Sequence, residues 1–553
     1  MDPIKADIVV LGAGPGGYAA AFYAADKGRK VLLIEQDKRL GGVCLNRGCI
    51  PSKALLHATK VIDEARESAR RGVTFGAPQI ELAKLREWKQ GILDKLATGV
   101  ATVAKMRGVE VLTGRGHFEN SKMLRVETEA GQKFVSYEKI IVAVGSRPAL
   151  PKAFDLGNPR VMTSTEALNL EDIPGELLVV GGGYIGMELG TVYAALGSRV
   201  TVVEALPGIL QGADADLARP VARYAEKAFK EIRLNTKVAK MATAGKQIKV
   251  VFDKKEELYD RVLVSVGRTP NCGDLGLEST KVALDDRGFI KVNAQQQTSD
   301  PDIFAIGDCA GGLLLAHKAS REARVAVDVI AGEGGAFQDV VVPAVVFTHP
   351  EVAWAGLTEA EAKEKNIPVQ VAKFPWSASG RAQTFDAVDG LTKLIIQPET
   401  ERILGVGIVG HGAGELISEG VLAIDARQRV VGINRAAAEA TLPVEAFGPD
   451  NKTVVDKGVL KVVDNQVDQA TGTIRLKAEF PNATFQLWPG QFVNVRLLIN
   501  TLRSVVVAPT AAVQRGPTGT FTFVVQPDNT VAVRPVTVAQ QDEIQAVISD
   551  GLR

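Results

Sequence analysis

Ile8-Val9-Val10-Leu11-Gly12-Ala13-Gly14-Pro15-Gly16-Gly17 is a short apolar run that stops at a glycine-rich turn. An alanine-rich stretch suited to a helix follows, then a second apolar run, Val31-Leu32-Leu33-Ile34, which closes on Glu35. The order is strand, turn, helix and strand, with an acid 18 residues beyond Gly17. Gly12 permits the tight turn, Gly14 lets the backbone approach a pyrophosphate, and Gly17 lets the helix pack close to the strand. Glu35 can accept a hydrogen bond from a ribose hydroxyl. The pyrophosphate would sit at the helix N-terminus, where unpaired N–H groups and the macrodipole favour anions.

The pattern recurs. Leu177-Leu178-Val179-Val180 leads into Gly181-Gly182-Gly183-Tyr184-Ile185-Gly186, a helical stretch, and Val200-Thr201-Val202-Val203-Glu204, the acid again 18 residues past the last glycine. Two dinucleotide sites in one chain point to two cofactors that pass electrons between them. An acid at the second site favours the free 2′-hydroxyl of NAD, where NADP would call for Arg.

Between the two units stands Gly41-Gly42-Val43-Cys44-Leu45-Asn46-Arg47-Gly48-Cys49-Ile50-Pro51-Ser52-Lys53. On a regular helix, residues five apart have Cα atoms about 8.6 Å apart, beyond the roughly 6.8 Å that a disulfide tolerates. A Cys44–Cys49 bond therefore requires distorted backbone, which Asn46 and Gly48 can supply. Such a bond closes a very short loop and stabilises little, which suits a pair that opens and closes during turnover. The competing readings are two buried free thiols or part of a metal site, and C-x4-C with no further ligand nearby is poor for zinc.

These residues closely resemble the active-site signature of dihydrolipoamide dehydrogenase, a member of the flavin disulfide reductase family. The resemblance implies that Cys49 makes the charge-transfer contact with a flavin and that Cys44 exchanges disulfides with dihydrolipoamide. It also implies that Lys53 lies near the flavin ring, paired with Glu188. Arg47 stands where the family is often apolar, with no loss of chemistry expected. Gly114-Arg115-Gly116 resembles a loop that touches FAD, and Ile140 to Pro148, through Gly145, resembles the crossover from the FAD to the NAD domain. Val262 to Arg268 resembles the return, with Gly267 and Arg268 beside the cofactors and Val238 a further NAD contact by position. Ile303-Phe304-Ala305-Ile306-Gly307-Asp308 resembles the strand whose terminal acid binds the ribityl chain of FAD, and Ala316 opens a helix that faces the flavin. The likeness runs from residue 6 to about 424. Mercuric and large thioredoxin reductases carry a C-terminal redox pair, yet no cysteine follows Cys309. Glutathione reductase usually reads NADP and lacks the Ile50-Pro51-Ser52-Lys53 wording.

The expected fold is therefore α/β, with two Rossmann-like FAD and NAD(P) domains (residues 1–150 with 271–341, and 151–270). A truncated α+β dimerisation domain (342–424) and an all-β C-terminal region (444–553) follow. In the family the dimerisation domain goes on to a His whose imidazole, held by a Glu, serves as acid/base in the partner's active site. No histidine follows His411 here, and His411-Gly412-Ala413-Gly414-Glu415 has the wrong spacing. A symmetric dimer cannot repair this, because both copies lack the group. Residues 425–443 are a linker or hairpin, or, from Ala423 to Glu439, resemble the opening of a PAS domain. Beyond Pro443 short runs alternate with turn residues, the texture of a β sandwich or barrel. Val463 to Phe492 and Val507 to Val513 resemble the β-barrel and membrane-proximal parts of efflux-pump periplasmic adaptors.

Composition agrees with a cytoplasmic enzyme. The chain has 553 residues, a formal net charge of +1 and 23% charged residues, a balance that argues for neither nucleic acid nor an anionic membrane surface. No apolar run approaches the roughly 20 residues of a membrane span, and the N-terminus lacks a signal-peptide pattern. Four cysteines are too few for a secreted disulfide framework. Cys272 and Cys309 read as buried small hydrophobes, His57, His117, His317 and His349 as structural, and no metal cluster is expected. The leading reading is a dihydrolipoamide dehydrogenase-like homodimer passing electrons from dihydrolipoamide through Cys44–Cys49 and FAD to NAD, with lipoyl domains of 2-oxo acid dehydrogenase complexes as partners. The alternatives are a diaphorase or NADH oxidase without the His–Glu base, or a chimeric assembly protein that binds efflux-pump components.

Overall fold

The structure, a computed structural model, describes residues 2–427 apart from 253–254, 339 and 385. In the C-terminal part it describes 443–448, 453–468, 473–483, 486–488, 491, 493–498, 505–516, 519–541 and 545–552. The chain divides into two units, residues 1–430 and 431–553.

Ile8, Val9, Val10 and Leu11 are all buried, as a central parallel strand covered on both faces requires. That strand, β1 (Ile4–Leu11), pairs in parallel with β2 (Val31–Glu35) and, on its other side, with Gly131–Val142. Helix α1 (Pro15–Asp26) makes the crossover, with Pro15 in its first turn where a missing N–H costs nothing. Glu110–Thr113 extends the sheet beyond β2, and Met123–Thr128 and Arg115–Asn120 extend it as an antiparallel meander. Ile303–Ala305 returns much later in the sequence to pair in parallel with Gly131–Val142. The registers Leu11↔Ile34, Leu11↔Val142 and Val142↔Ala305 bring four strands to an end at one edge. Gly12, Glu35, Ala143 and Ile306 thus gather where ligands bind in open parallel sheets.

The second parallel sheet repeats the plan in the order Glu231–Arg233, Arg199–Val203, Glu176–Val180, Arg261–Val264, Val161–Met162. An antiparallel meander, Val238–Ala244, Gln247–Phe252 and Lys255–Tyr259, accompanies it. Ser146–Pro148 and Arg268–Pro270 pair antiparallel as the two crossings between these domains.

The redox stretch folds as two helices, α2 (Gly42–Arg47) and α3 (Cys49–Ser68), separated by Gly48 at φ −149°, ψ −108°. Gly48 alone supplies the break. Asn46, expected to help distort the backbone, is helical, and its amide donates to the carbonyls of Leu40 and Gly42 at 3.1 Å each. It secures the turn before α2 instead.

A five-stranded antiparallel sheet follows: Ala344–Val346, Glu351–Gly356, Ile403–Gly410, Leu391–Ile396, Gln370–Pro375. Helix Ala413–Asp425 packs on it. Ala423, Ile424 and Asp425, the opening of the PAS-like stretch, end this helix instead, with Ala423 and Ile424 packed against its core; the part of that stretch from 428 to 439 lies outside the described residues. Lys393 ties this sheet to the NAD-type domain. Its ammonium, 1% exposed, lies 2.6 Å from Asp214, 2.7 Å from Asp216 and 2.9 Å from Glu359. The three acids could otherwise group around a metal ion, but the lysine is the cation at their centre.

The second unit is antiparallel β structure among its described residues. One sheet runs Thr473–Glu479, Val454–Asp468, Pro443–Phe447, Asn494–Leu497; the others are Val506–Pro509, Gln545–Asp550, Thr537–Gln541 and Val513–Gly516, Gly519–Val525, Val531–Pro535. Gly519–Val525 and Val531–Pro535 form an antiparallel hairpin that turns at Pro527-Asp528-Asn529.

Removing one partner of a buried ion pair leaves uncompensated charge. Lys393→Met is expected to destabilise the N-terminal unit by about 3–5 kcal/mol, measured by urea denaturation; an unchanged midpoint would show that solvent already screens the three acids.

Candidate active site

A cleft of about 600 Å³ runs along the carboxyl edge of the first sheet. Gly12, Gly14, Glu35, Cys44, Cys49, Lys53, Gly116, Gly145, Glu188, Arg268, Asp308 and Ala316 all line it. These residues are spread over more than half of the sequence, and the sheet registers collect them. Gly12 has φ +102°, and a Cβ there would lie 2.5 Å from the Ala143 carbonyl. A Cβ on Gly17 would lie 1.8 Å from the Gly12 carbonyl, so Gly17 serves packing rather than the cleft wall. A Cβ on Gly42 would lie 2.5 Å from Gly14 Cα, so α2 starts directly against the glycine turn. The open end of α1, the glycine cradle and the volume of the cleft together fit FAD.

Glu35 is buried and accepts from the backbone N–H of Ala13 (2.7 Å) and of Asp37 (3.0 Å). Burial pushes its carboxyl above the usual range against those two bonds. Glu204 repeats the arrangement, accepting from Gly182 (2.7 Å) and Leu206 (2.8 Å). Each acid thus holds its own glycine turn, and a carboxylate has lone pairs left for a ribose hydroxyl. Gly181 (φ +107°) and Gly186 repeat the close contacts of Gly12 and Gly17. Gly183 caps helix Tyr184–Leu196, and Gly267 sits at φ +121° after strand Arg261–Val264 of the second sheet. Val238 does not join either turn; it is half-buried at the start of the antiparallel meander, opposite Phe252.

Cys44 is half-buried in the middle of α2 and Cys49, exposed, opens α3; both are free thiols. The Cys44 thiol hydrogen-bonds Cys49, which lowers the Cys49 pKa to about 7, with the nearby Lys53 ammonium acting in the same direction. Cys44 is pushed well up by the same bond and by burial. The pair therefore holds its first negative charge on Cys49. Lys53 donates to both oxygens of Glu188 at 3.0 and 2.9 Å, and its ammonium lies 4.6 Å from the Phe347 ring centroid. Glu188, 3% exposed, also accepts from Ser52 Oγ (2.8 Å) and from the Phe347 N–H (3.0 Å). Ser52 and Phe347 were not singled out from sequence; Ser52 lies within the quoted signature, but nothing local marks Phe347.

At the far side, Asp308 accepts from Ser146 Oγ, which itself accepts from Arg268 Nε at 2.7 Å. Arg268 also donates to the Ser146 carbonyl at 2.7 Å and stands 3.6 Å from Asp308. The two domain crossings and the cleft acid thus form one network. Arg47 pairs with Asp37 at the cleft wall. Cys272 and Cys309, which sequence left as unrelated buried thiols, are neighbours: the Cys272 thiol donates to the Cys309 carbonyl at 3.8 Å, and the Cys309 thiol to the carbonyls of Ile306 (3.1 Å) and Val142 (3.4 Å). No histidine lines the cleft among the described residues.

Residues 6–323 match the family described as pyridine nucleotide-disulphide oxidoreductase, and 342–439 match its dimerisation domain. The chain belongs to this family. Dihydrolipoyl dehydrogenase of Vibrio cholerae is 46% identical over 427 residues, covering 76% of this chain and 90% of that protein. The Staphylococcus aureus dihydrolipoyl dehydrogenase is 43% identical over 432 residues, covering 77% and 91%. Among solved structures, the HOCl-induced flavoprotein disulfide reductase RclA from Escherichia coli, as a Cu(II) complex, superposes with a TM-score of 0.70 at 30% identity. That match covers 78% of this chain and 94% of RclA. LpdA from Mycobacterium tuberculosis gives 0.72 at 26% identity, covering 79% and 95%. This pyridine nucleotide-disulphide oxidoreductase is a lipoamide-dehydrogenase-like, FAD-dependent enzyme whose cofactors are FAD and NAD. Residues 422–501 match the β-barrel domain of RND MFPs and 504–553 their C-terminal permuted SH3 domain. No described helix is long and apolar enough to cross a membrane.

The Cys44 hydrogen bond, with Lys53 beside it, lowers Cys49 to about 7 and so favours its thiolate near neutral pH. In protein with the pair reduced, its iodoacetamide alkylation rate is expected to rise with pH to a plateau with a midpoint near 7. Cys44→Ala and Lys53→Met should each move that midpoint upward. A wild-type midpoint near the free-thiol value of about 8.5 would show that neither partner acts on Cys49.

Proposed function

We propose that this chain is an NADH-linked disulfide oxidoreductase in which Cys44 and Cys49 exchange electrons with FAD, but in which proton transfer to an external dithiol is impaired. The carrying observation is the placement of Cys44 and Cys49 in the cleft beside the Glu188-held Lys53, in a sequence with no histidine after His411. FAD, when bound, takes two electrons from a dithiol and passes them to NAD as a hydride. Gly12, Gly14, Glu35, Gly116, Gly145, Asp308 and Ala316 would hold FAD, and Gly181, Gly183, Gly186, Glu204 and Gly267 would hold NAD. The chain's own residues then have distinct parts. Cys49, facing Lys53, keeps a negative charge without an external base. Lys53 is oriented by Glu188, and Glu188 by Ser52 and Phe347.

Cys44 is the group that must attack or leave during exchange with dihydrolipoamide, and its raised pKa makes it a poor nucleophile without a base. No histidine follows His411 to supply that base, in this subunit or in a symmetric partner. The dimerisation-domain match supports a homodimer, and the relatives' name supports lipoyl domains of 2-oxo acid dehydrogenase complexes as partners. The RND MFP matches favour a second reading for the C-terminal unit, as a module that docks on efflux-pump components.

A lost general base typically costs about 10²–10⁴ in rate. NADH should bleach the flavin and open Cys44–Cys49 at the rate found for the Vibrio cholerae enzyme, and dye reduction by NADH should be robust. Dihydrolipoamide oxidation should be at least about 100-fold slower than in that relative. Equal dihydrolipoamide turnover in the two proteins would overturn the proposal.

A further inference from the structure

Ile306 donates the last hydrogen bond to the first sheet, to the Val142 carbonyl. The chain then leaves the ladder as a single 3₁₀ turn, Gly307–Ala310, which carries Asp308 into the cleft. Three glycines with positive φ surround this turn: Gly307 at +73°, Gly311 at +77° and Gly312 at +70°. Such residues have wide conformational choice, so something outside the turn must fix where Asp308 stands. Gly307 is buried, and its N–H has no strand partner left. A buried N–H needs an acceptor, and Glu322 provides it at 2.7 Å. At the other end, the Gly311 carbonyl accepts from Lys318 Nζ at 2.8 Å. Lys318 and Glu322 are one helical turn apart on Ala316–Ile330 and form an ion pair at 2.6 Å, their side chains 7% and 4% exposed.

A buried ion pair alone is weak evidence for stability, because desolvation offsets most of the attraction. Here each member spends a further hydrogen bond on one end of the same turn. Ala319, between them, sets the spacing: a Cβ on Gly307 would lie 3.2 Å from Ala319 Cβ, and one on Gly16 of α1 only 3.0 Å. The helix therefore presses on the glycine turn of α1 and on the Asp308 turn at once. Neither Lys318 nor Glu322 lines the cleft, whereas Asp308, Gly307, Ala316 and Ala319 do.

We propose that Lys318 and Glu322 are positioning residues for FAD, a buried clasp that closes both ends of the Gly307–Gly311 turn and so fixes Asp308 against the bound cofactor. This rests on Asp308 facing FAD, and the experiment separates the two claims. FAD is stripped from the full-length protein and titrated back, with affinity read from flavin fluorescence and the visible spectrum of the bound flavin recorded. Four proteins are compared: wild type, Asp308→Asn, Glu322→Gln, and the double variant Lys318→Met with Glu322→Leu. The double variant replaces the pair by apolar groups of similar size, which removes the ion pair at little cost but leaves the Gly307 N–H and the Gly311 carbonyl without their partners. Its circular dichroism should match wild type, and its FAD-free melting temperature should fall only modestly, by an amount set by those two backbone groups. Its FAD dissociation constant should rise by about 10–100-fold, the range found for side chains that orient the ligands of a metal, and its bound-flavin spectrum should shift. Glu322→Gln keeps an acceptor for Gly307 but loses the pair, and should weaken binding by less. If Asp308→Asn weakens FAD binding and both other variants bind and absorb as wild type, the clasp is overturned while Asp308 keeps its role. If Asp308→Asn itself binds FAD as wild type, the reading of Asp308 fails first and the clasp with it. Should the double variant not fold, a wild-type affinity and spectrum in Glu322→Gln and in Lys318→Met would overturn the proposal, and a rise in both dissociation constants with a shifted spectrum would support it.

Discussion

The carboxylate of Glu188 is the point at which the N-terminal unit closes on itself. It belongs to the helix that follows the second glycine turn, and it is buried. Two of its partners, Ser52 and Lys53, sit in the first turns of α3 beside Cys49, and the third, the Phe347 N–H, comes from the sheet of the dimerisation domain. A buried charge must be satisfied from whatever surrounds it, and here two separate segments supply the donors. The alignment of α3, and with it the dithiol, is tied to the NAD-type domain on one side and to the dimerisation domain on the other. Lys53 gains a fixed place from the same knot, so the cation that favours a Cys49 thiolate is set by distant parts of the chain.

The same economy appears in the paired acids of the two glycine motifs. Glu35 and Glu204 each brace the turn that precedes them by accepting backbone N–H groups on both oxygens. An acid at that position shapes the turn before any ribose arrives. Two units with the same local solution were then placed face to face by two short crossings, and Arg268, Ser146 and Asp308 join those crossings across the cleft.

The union of an oxidoreductase with RND MFP segments makes the end of the dimerisation domain the point of chemical consequence. The matched family segments overlap between 422 and 439, where the reductase pattern gives way. The fold of the first 427 residues does not suffer, because its sheets, cores and the Glu188 knot lie upstream. The proposed impairment lies there instead, because the family's acid/base histidine is expected beyond this point and the sequence holds no histidine after His411.

Much of this was legible in the linear chain. The glycine turns, their acids and the C-x4-C signature are short, local patterns whose physical demands are met within some 30 residues of one another, so Gly12, Gly17, Glu35, Cys44 and Cys49 could be assigned from spacing and resemblance. Even the broken helix was foreseeable from the reach of a disulfide, although Gly48 supplies the break and Asn46 does not. Partnerships between remote residues could not be read in this way. Phe347 gives only a backbone N–H, Lys318 and Glu322 look like an ordinary surface pair one helical turn apart, and Cys272 and Cys309 have nothing in common along the chain. Local geometry depends on neighbours in sequence and is encoded there; burial and the hydrogen-bond partners it forces depend on which segments meet, and that was settled only when the sheets assembled.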